Sequence, residues 1–318
     1  MPGDPVLLTD DVRVDYGDTT AVAGLSFSLG AGEVMGLIGP NGAGKTSTIR
    51  VLATLLEPTY GRVEIGGHDP ATHPRQARAI LGYMPDLAPV HDDVTCVEFL
   101  DSFAGAYGLR GKHRKARVDE CLDLVSLTAK RKAMAGSLSR GMTQRLVLAK
   151  TLLHRPAVML LDEPASGLDP LARAELRDLL NDLSSRGVTV LISSHILAEL
   201  SGFCTVVGIM ERGRLKRFGR LDELTAELRK RRVIDLELLD GDTDLPQLAA
   251  WLMEHDRCEN VQLQQPAHRI RLDLLGNDRD AAGLLRSLIE RGVPVTGFAE
   301  RKPDIEDLLR DSGATEVS

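Results

Sequence analysis

The run G-P-N-G-A-G-K-T at residues 39–46 constrains this chain more than any other stretch. Three glycines and a proline interrupt what otherwise reads as a strand, E-V-M-G-L-I, followed by a helix, S-T-I-R-V-L-A-T-L-L. Residues without a Cβ let the backbone wrap until successive N–H groups point at one anion. The helix expected from about Lys45 adds the positive end of its dipole to the same point. Gly39, Gly44, Lys45 and Thr46 satisfy the spacing G-x-x-x-x-G-K-[ST], in which the lysine reaches the β- and γ-phosphates and the hydroxyl ligates magnesium. Pro40, Asn41, Gly42, Ala43 and Ser47 complete the expected nucleotide-binding loop.

A second pattern lies about 115 residues further on. Val158 to Leu161 are four consecutive apolar residues ending in Asp162 and Glu163, as expected of a buried parallel strand that closes on two carboxylates. Ligands of open parallel sheets sit at the carboxyl ends of the strands. Asp162 is therefore expected to hold the magnesium shell and Glu163 to polarise a water for attack on the γ-phosphate.

Composition narrows the alternatives. A chain of 318 residues has room for one large or two ordinary domains, each with its own core. No apolar run approaches the roughly 18 residues that span a bilayer, and M-P-G-D-P-V-L-L lacks the basic-then-apolar order of a secretion signal, so a cytoplasmic location is expected. Cys96, Cys121, Cys204 and Cys258 form no C-x-x-C pair, which argues against a disulfide framework or a zinc site. Residues 1–219 hold 25 basic and 25 acidic side chains, whereas 220–318 hold 14 and 21, a net charge of −7. Such a tail repels phosphates, and no nucleic-acid partner is expected. The basic cluster R-G-K-H-R-K-A-R at 110–117 begins a helical pattern and is expected to form a solvated face.

Between the two phosphate-directed motifs lies L-S-R-G-M-T-Q-R-L at 138–146, and after them come S-G-L-D and L-I-S-S-H. Over about residues 5–220 these five segments, in this order, resemble the nucleotide-binding subunit of an ATP-binding cassette (ABC) transporter. The resemblance implies an α/β P-loop NTPase fold with a RecA-like core, an antiparallel β subdomain and a helical signature subdomain at about 86–155. It also implies a homodimer formed on ATP binding, in which Ser139 and Gly141 contact the γ-phosphate held by the partner. Arg140 and Met142 depart from the family's L-S-G-G-Q. By the same resemblance Asp169 lies at the dimer seam, His195 serves catalysis with Lys45 and Glu163, and Tyr16 stacks on adenine, the competing reading being a half-buried strand tyrosine. The family's glutamine after G-Y-x-P is Asp86 here, either a metal contact through water or a plain loop aspartate.

From about residue 221 the pattern reads helix, then strand, helix, two hairpin strands, helix and strand, a β-α-β-β-α-β order expected to give a small α+β accessory domain of ferredoxin-like type over 221–318. The ending K-P-D-I-E-D-L-L-R-D-S-G resembles ATPase subunits of ABC-2-type exporters. The expected function is then that of an energy-coupling ATPase using ATP and magnesium to drive a separate transmembrane permease, on the cytoplasmic face of the membrane. Two alternatives stand beside it. One is a soluble ABC ATPase acting on ribosomes or nucleic acid, although the chain shows neither the paired cassettes nor the long coiled coil typical of those proteins; the other is a nucleotide sensor without turnover.

Overall fold

The computed structural model describes residues 5–87, 89–196, 200, 202–228, 231–239, 244–264 and 268–301; the K-P-D-I-E-D-L-L-R-D-S-G ending lies outside them. The described residues up to Arg220 form one compact unit and those from Leu221 onward form another.

The first unit begins with strands β1 (Leu7–Tyr16) and β2 (Thr19–Leu29), then β3 (Val34–Ile38), helix α1 (Lys45–Leu52), β4 (Tyr60–Ile65), α2 (Pro74–Ala79) and β5 (Leu81–Met84). Helices α3 (Cys96–Ala106), α4 (Gly111–Leu124) and α5 (Arg140–Leu152) follow, then β6 (Val158–Leu161), α6 (Pro170–Ser185), β7 (Thr189–Ser194), β8 (Val206–Glu211) and β9 (Arg214–Arg220). Two sheets result. A three-stranded antiparallel sheet has the order β2-β1-β4, and its strands bury one face, as with Val22, Leu25, Phe27 and Leu29 of β2. A six-stranded sheet runs β5-β6-β7-β3-β8-β9, parallel except for the last pair. Strands β3, β6 and β7 are buried at every position, which is why β3 and β6 read as unbroken apolar runs rather than alternating ones, while β7 buries hydroxyl residues at both ends.

Two of the three α-helices inserted between β5 and β6 start on a side-chain cap. Thr95 and Glu98 exchange the reciprocal bonds of a capping box at α3, and Ser139 caps α5. The basic cluster at 110–117 departs from the expected solvated face at one position. Arg117 is buried, and its guanidinium donates to the carbonyl oxygens of Leu152 and of Leu153, the latter at 3.0 Å. Those carbonyls end α5 and have no intrahelical partner, so a planar multi-donor cation fits where a hydrated ammonium would not.

The second unit holds α7 (Leu221–Leu228), β10 (Arg231–Leu238), α8 (Leu245–Met253), β11 (Cys258–Gln264), β12 (Arg269–Leu275), α9 (Asp278–Glu290) and β13 (Val295–Arg301). Its sheet, β11-β12-β10-β13, is antiparallel throughout, the ferredoxin-like order. Ile234, Leu236, Ile270, Leu272 and Leu274 project from the sheet onto Leu252, Leu284 and Leu288 of the helices, a core of its own. Among the described residues, no helix is long and apolar enough to cross a membrane.

Candidate active site

Adjacent parallel strands bring the motifs together at one edge of the six-stranded sheet. Leu161 pairs with Met84 on one side and Ile192 on the other, and Ile38 pairs with Ser194. The residues that follow these positions, Asp86 after β5, Asp162 and Glu163 after β6, His195 after β7 and the glycine loop after β3, consequently leave the sheet along the same edge. That edge is the carboxyl end, where ligands of parallel sheets sit.

The loop is held by close backbone contacts. Gly44 precedes α1 at φ +102°, and a Cβ there would come within 2.4 Å of the Ala21 carbonyl oxygen; at Gly39 a Cβ would meet the Met210 carbonyl oxygen at 2.2 Å. Only glycine permits both positions. Lys45 is 6% exposed, and its ammonium donates to the carbonyls of Gly39 at 2.6 Å and Pro40 at 3.3 Å. A cavity of about 310 Å³ opens beside it, lined by residues 41–47 together with Ala21, Asp86 and Glu163.

Glu163 is held from two sides. Its Oε1 lies 3.4 Å from Lys45 Nζ and its Oε2 lies 2.9 Å from His195 Nδ1. Its backbone is left-handed at φ +48°, a conformation that costs a residue with a Cβ about 1–2 kcal/mol. Such a cost persists only where the surroundings fix it, and it recurs at functional sites. Asp162 is 2% exposed, and its Oδ1 accepts from the Thr46 hydroxyl at 3.3 Å. A hydroxyl and a carboxylate oxygen side by side are the hard donors magnesium takes from a protein when phosphates and waters complete its shell, so these residues fit that ion. Among the described residues no group of three His, Cys, Asp or Glu side chains is arranged to hold a metal unaided, which leaves that completion to substrate and solvent. Asp86 stands at the cavity wall, where partial desolvation pushes its carboxyl pKa up and the negative charges of Asp162 and Glu163 push it further, with Arg140 and His195 pulling against them.

The remaining expected residues stand on other elements. Tyr16 is 46% exposed and its hydroxyl lies 3.4 Å from Ser47 Oγ, beside the start of α1. Ser139 Oγ accepts the Met142 N–H at 3.4 Å, and Gly141 follows in the first turn of α5 with a Leu168 methyl 3.3 Å from where a Cβ would be. Asp169 caps α6 by accepting the Ala172 N–H at 2.8 Å. None of these last three lines the cavity beside the loop.

Ser193 was not singled out from L-I-S-S-H, where the histidine drew attention. It is fully buried in β7, accepts the Glu163 N–H at 2.9 Å and donates to Asp162 Oδ1 at 2.7 Å. The one signal available was a pair of hydroxyl residues closing an otherwise apolar strand.

Residues 22–166 match the family described as ABC transporter. A daunorubicin resistance ATP-binding protein of Streptomyces coeruleorubidus is 33% identical over 311 residues, covering 96% of this chain and 95% of its own. A bacitracin transport ATP-binding protein of Bacillus licheniformis is 36% identical over 305 residues, 95% of each chain. Among solved structures, one described as the ATP-binding subunit of an ABC transporter superposes with a TM-score of 0.64 at 32% identity, over 70% of this chain and 92% of that one. Sequence, sheet order and the residues gathered at the strand ends thus agree: the chain belongs to the ABC transporter family and is one of its ATP-binding, ATP-hydrolysing subunits.

Proposed function

We propose that this subunit powers an exporter, as a homodimer that closes on ATP and opens on hydrolysis beneath a separate transmembrane permease on the cytoplasmic face of the membrane. The names of the two relatives matched along 95% of their length, one of daunorubicin resistance and one of bacitracin transport, support the export reading. Among the described residues nothing in either unit favours action on ribosomes or nucleic acid.

In the proposed cycle the loop at 39–47 wraps the triphosphate and Tyr16 stacks on the base. Lys45 leaves the Gly39 and Pro40 carbonyls and Glu163 for the β- and γ-phosphates, exchanging one set of buried partners for another. Magnesium, held by Thr46 and Asp162 with Asp86 acting through water, would supply charge neutralisation on the phosphate oxygens. Ser139 and Gly141 of each copy close on the γ-phosphate of the other, with Asp169 at the seam, because a helix start offers a hydroxyl and free N–H groups to an anion. Once Lys45 has moved, Glu163 orients the attacking water and His195 stabilises the transferred phosphoryl. Departure of the γ-phosphate removes the bonds that join the copies, and their separation moves the permease through contacts near Asp86. The unit from residue 221 onward is an accessory domain, and its surplus of negative charge supports a role other than phosphate binding.

The observation that carries this reading is the convergence on Glu163: 3.4 Å from Lys45 and 2.9 Å from His195, at the wall of the phosphate-loop cavity. Glu163→Gln should lower ATP hydrolysis by roughly two to four orders of magnitude while preserving ATP binding, so that an ATP-bound dimer accumulates in size-exclusion chromatography with light scattering. Hydrolysis near the wild-type rate would remove Glu163 from the mechanism.

A further inference from the structure

Ser193 joins the two acidic residues of the site through a single hydroxyl. The bond directions follow from the groups: the Glu163 N–H can only donate, and the Ser193 hydroxyl donates in turn to Asp162 Oδ1. The hydroxyl proton therefore points at Asp162 Oδ1, 2.7 Å away, and an oxygen lone pair receives the Glu163 amide at 2.9 Å. The bond to Asp162 is buried, since Ser193 has no exposed surface and Asp162 is 2% exposed, while the bond from the Glu163 amide is part-buried. A hydroxyl proton committed to a carboxylate makes its oxygen a better acceptor, so each bond strengthens the other.

Each bond supports one part of the proposed chemistry. Asp162 Oδ1 is the oxygen that also accepts from Thr46, so its direction is set by two hydroxyls on opposite sides, Thr46 from α1 and Ser193 from β7. Glu163 sits at φ +48°, and its amide, turned out of the ladder by that conformation, finds in Ser193 a buried acceptor. Without the acceptor this part-buried amide would lose its protein partner, and the peptide would be free to rotate toward an ordinary conformation. Rotation there would carry the Glu163 carboxylate away from Lys45 and His195.

We infer that Ser193 is a positioning residue for ATP hydrolysis, acting on Asp162 Oδ1, the oxygen beside the Thr46 hydroxyl, and on the left-handed backbone of Glu163 together. This rests on the roles proposed above for Asp162 and Glu163. The inference carries two separable signatures, one in magnesium-dependent binding through Asp162 and one in turnover through Glu163.

The test uses the full-length chain and the variants Ser193→Ala, Ser193→Thr and Ser193→Cys. Affinity for a non-hydrolysable ATP analogue is measured by calorimetry with magnesium and with EDTA, alongside kcat, KM and the thermal midpoint. For Ser193→Ala we expect the EDTA affinity unchanged, the gain in affinity from magnesium reduced about three- to tenfold with KM for Mg-ATP rising in step, and kcat reduced about 10- to 100-fold, the range of a lost charge-assisted bond. Threonine keeps the hydroxyl and suits a strand, so it should restore both; cysteine keeps the size but donates weakly, so it should not. If alanine fails to fold, the threonine–cysteine comparison decides alone. Wild-type kcat and magnesium response in alanine or cysteine would overturn the inference, as would threonine behaving like cysteine, which would mark a packing role. Should Glu163→Gln hydrolyse ATP normally, the general-base reading falls, while the magnesium arm still tests Ser193 through Asp162.

Discussion

At the scale of single residues, the cavity shows which groups must move and which must not. Lys45 and Glu163 neutralise one another before substrate arrives, so the site holds a buried ammonium without an uncompensated charge. Lys45→Ala should abolish measurable ATP affinity in equilibrium binding, because the cation facing the β- and γ-phosphates is lost and Glu163 is left with no counter-charge on that side. Asp86 is a different case: a carboxylate beside two others, where the family carries a neutral amide. If it contributes through water to magnesium, Asp86→Ala raises the magnesium concentration for half-maximal turnover and lowers the rate; an unchanged magnesium titration would reduce it to a loop residue. The chemical identity of these residues was legible in the sequence because each follows an apolar strand or a glycine loop. Ser193 was not, because its function depends on which strands are neighbours. The pairing of Leu161 with Ile192 joins segments about 30 residues apart and brings Asp162 beside Ser193, and no local pattern encodes that adjacency.

At the scale of elements, the helical insert between β5 and β6 is tied to the parallel sheet by polar side chains as well as by packing. His154, just beyond α5, stacks on Tyr107 with ring centroids 4.3 Å apart, and its Nε2 lies 3.0 Å from the Leu81 carbonyl oxygen at the start of β5. Since a carbonyl only accepts, Nε2 carries the proton. Burial pushes the His154 pKa down, with Arg117 adding to the depression and the Leu81 bond opposing it. The unfolded chain then binds more protons than the folded one in the window between the two values, so stability is fully present above about pH 6.5 and is lost as pH falls through the folded value. Urea titrations at pH 7.5 and 5.5 should show a loss in the wild type that is smaller in His154→Gln, which retains an N–H donor but does not titrate. An equal loss in both would assign the acid sensitivity elsewhere. Arg117 gives a second test of the same insert. Arg117→Met keeps the buried stem but leaves the Leu153 carbonyl without its donor and the Leu152 carbonyl with the Arg155 N–H alone, at an expected cost of about 1–3 kcal/mol, read as a lower thermal midpoint with ATP affinity preserved. Helix α4 was legible from its period, yet the burial of one arginine was not: it follows from where the end of α5 arrives.

At the scale of the whole molecule, the two units differ in how their sequences reveal them. The first is dominated by fully buried parallel strands, whose apolar runs say "strand" without saying in what order they pair. The motifs and the resemblance they carry give its fold class, while its strand order is seen only in the structure. The second was legible from alternation and helix period alone, because an antiparallel sheet with helices on one face writes its burial into every other residue. Its function was not, since neither a charged cluster at a strand end nor a glycine loop marks it. Each unit has a separate core: Leu25, Leu37, Ile49, Leu52 and Leu160 belong to the first, and Ile234, Leu236, Leu272 and Leu288 to the second. A core of this kind is what allows a domain to fold alone. We therefore propose that a chain ending at Arg220 folds and binds ATP with unchanged affinity, since every residue assigned to nucleotide or metal precedes that point. Denaturation of the full-length protein should then show two transitions, of which only the one retained in the shortened chain shifts upward with ATP, because a ligand stabilises only the unit that binds it. A single transition moving as a whole with ATP, or a shortened chain that fails to fold, would mean that the cassette draws its stability from the accessory unit and that the division at 220/221 is one of shape alone.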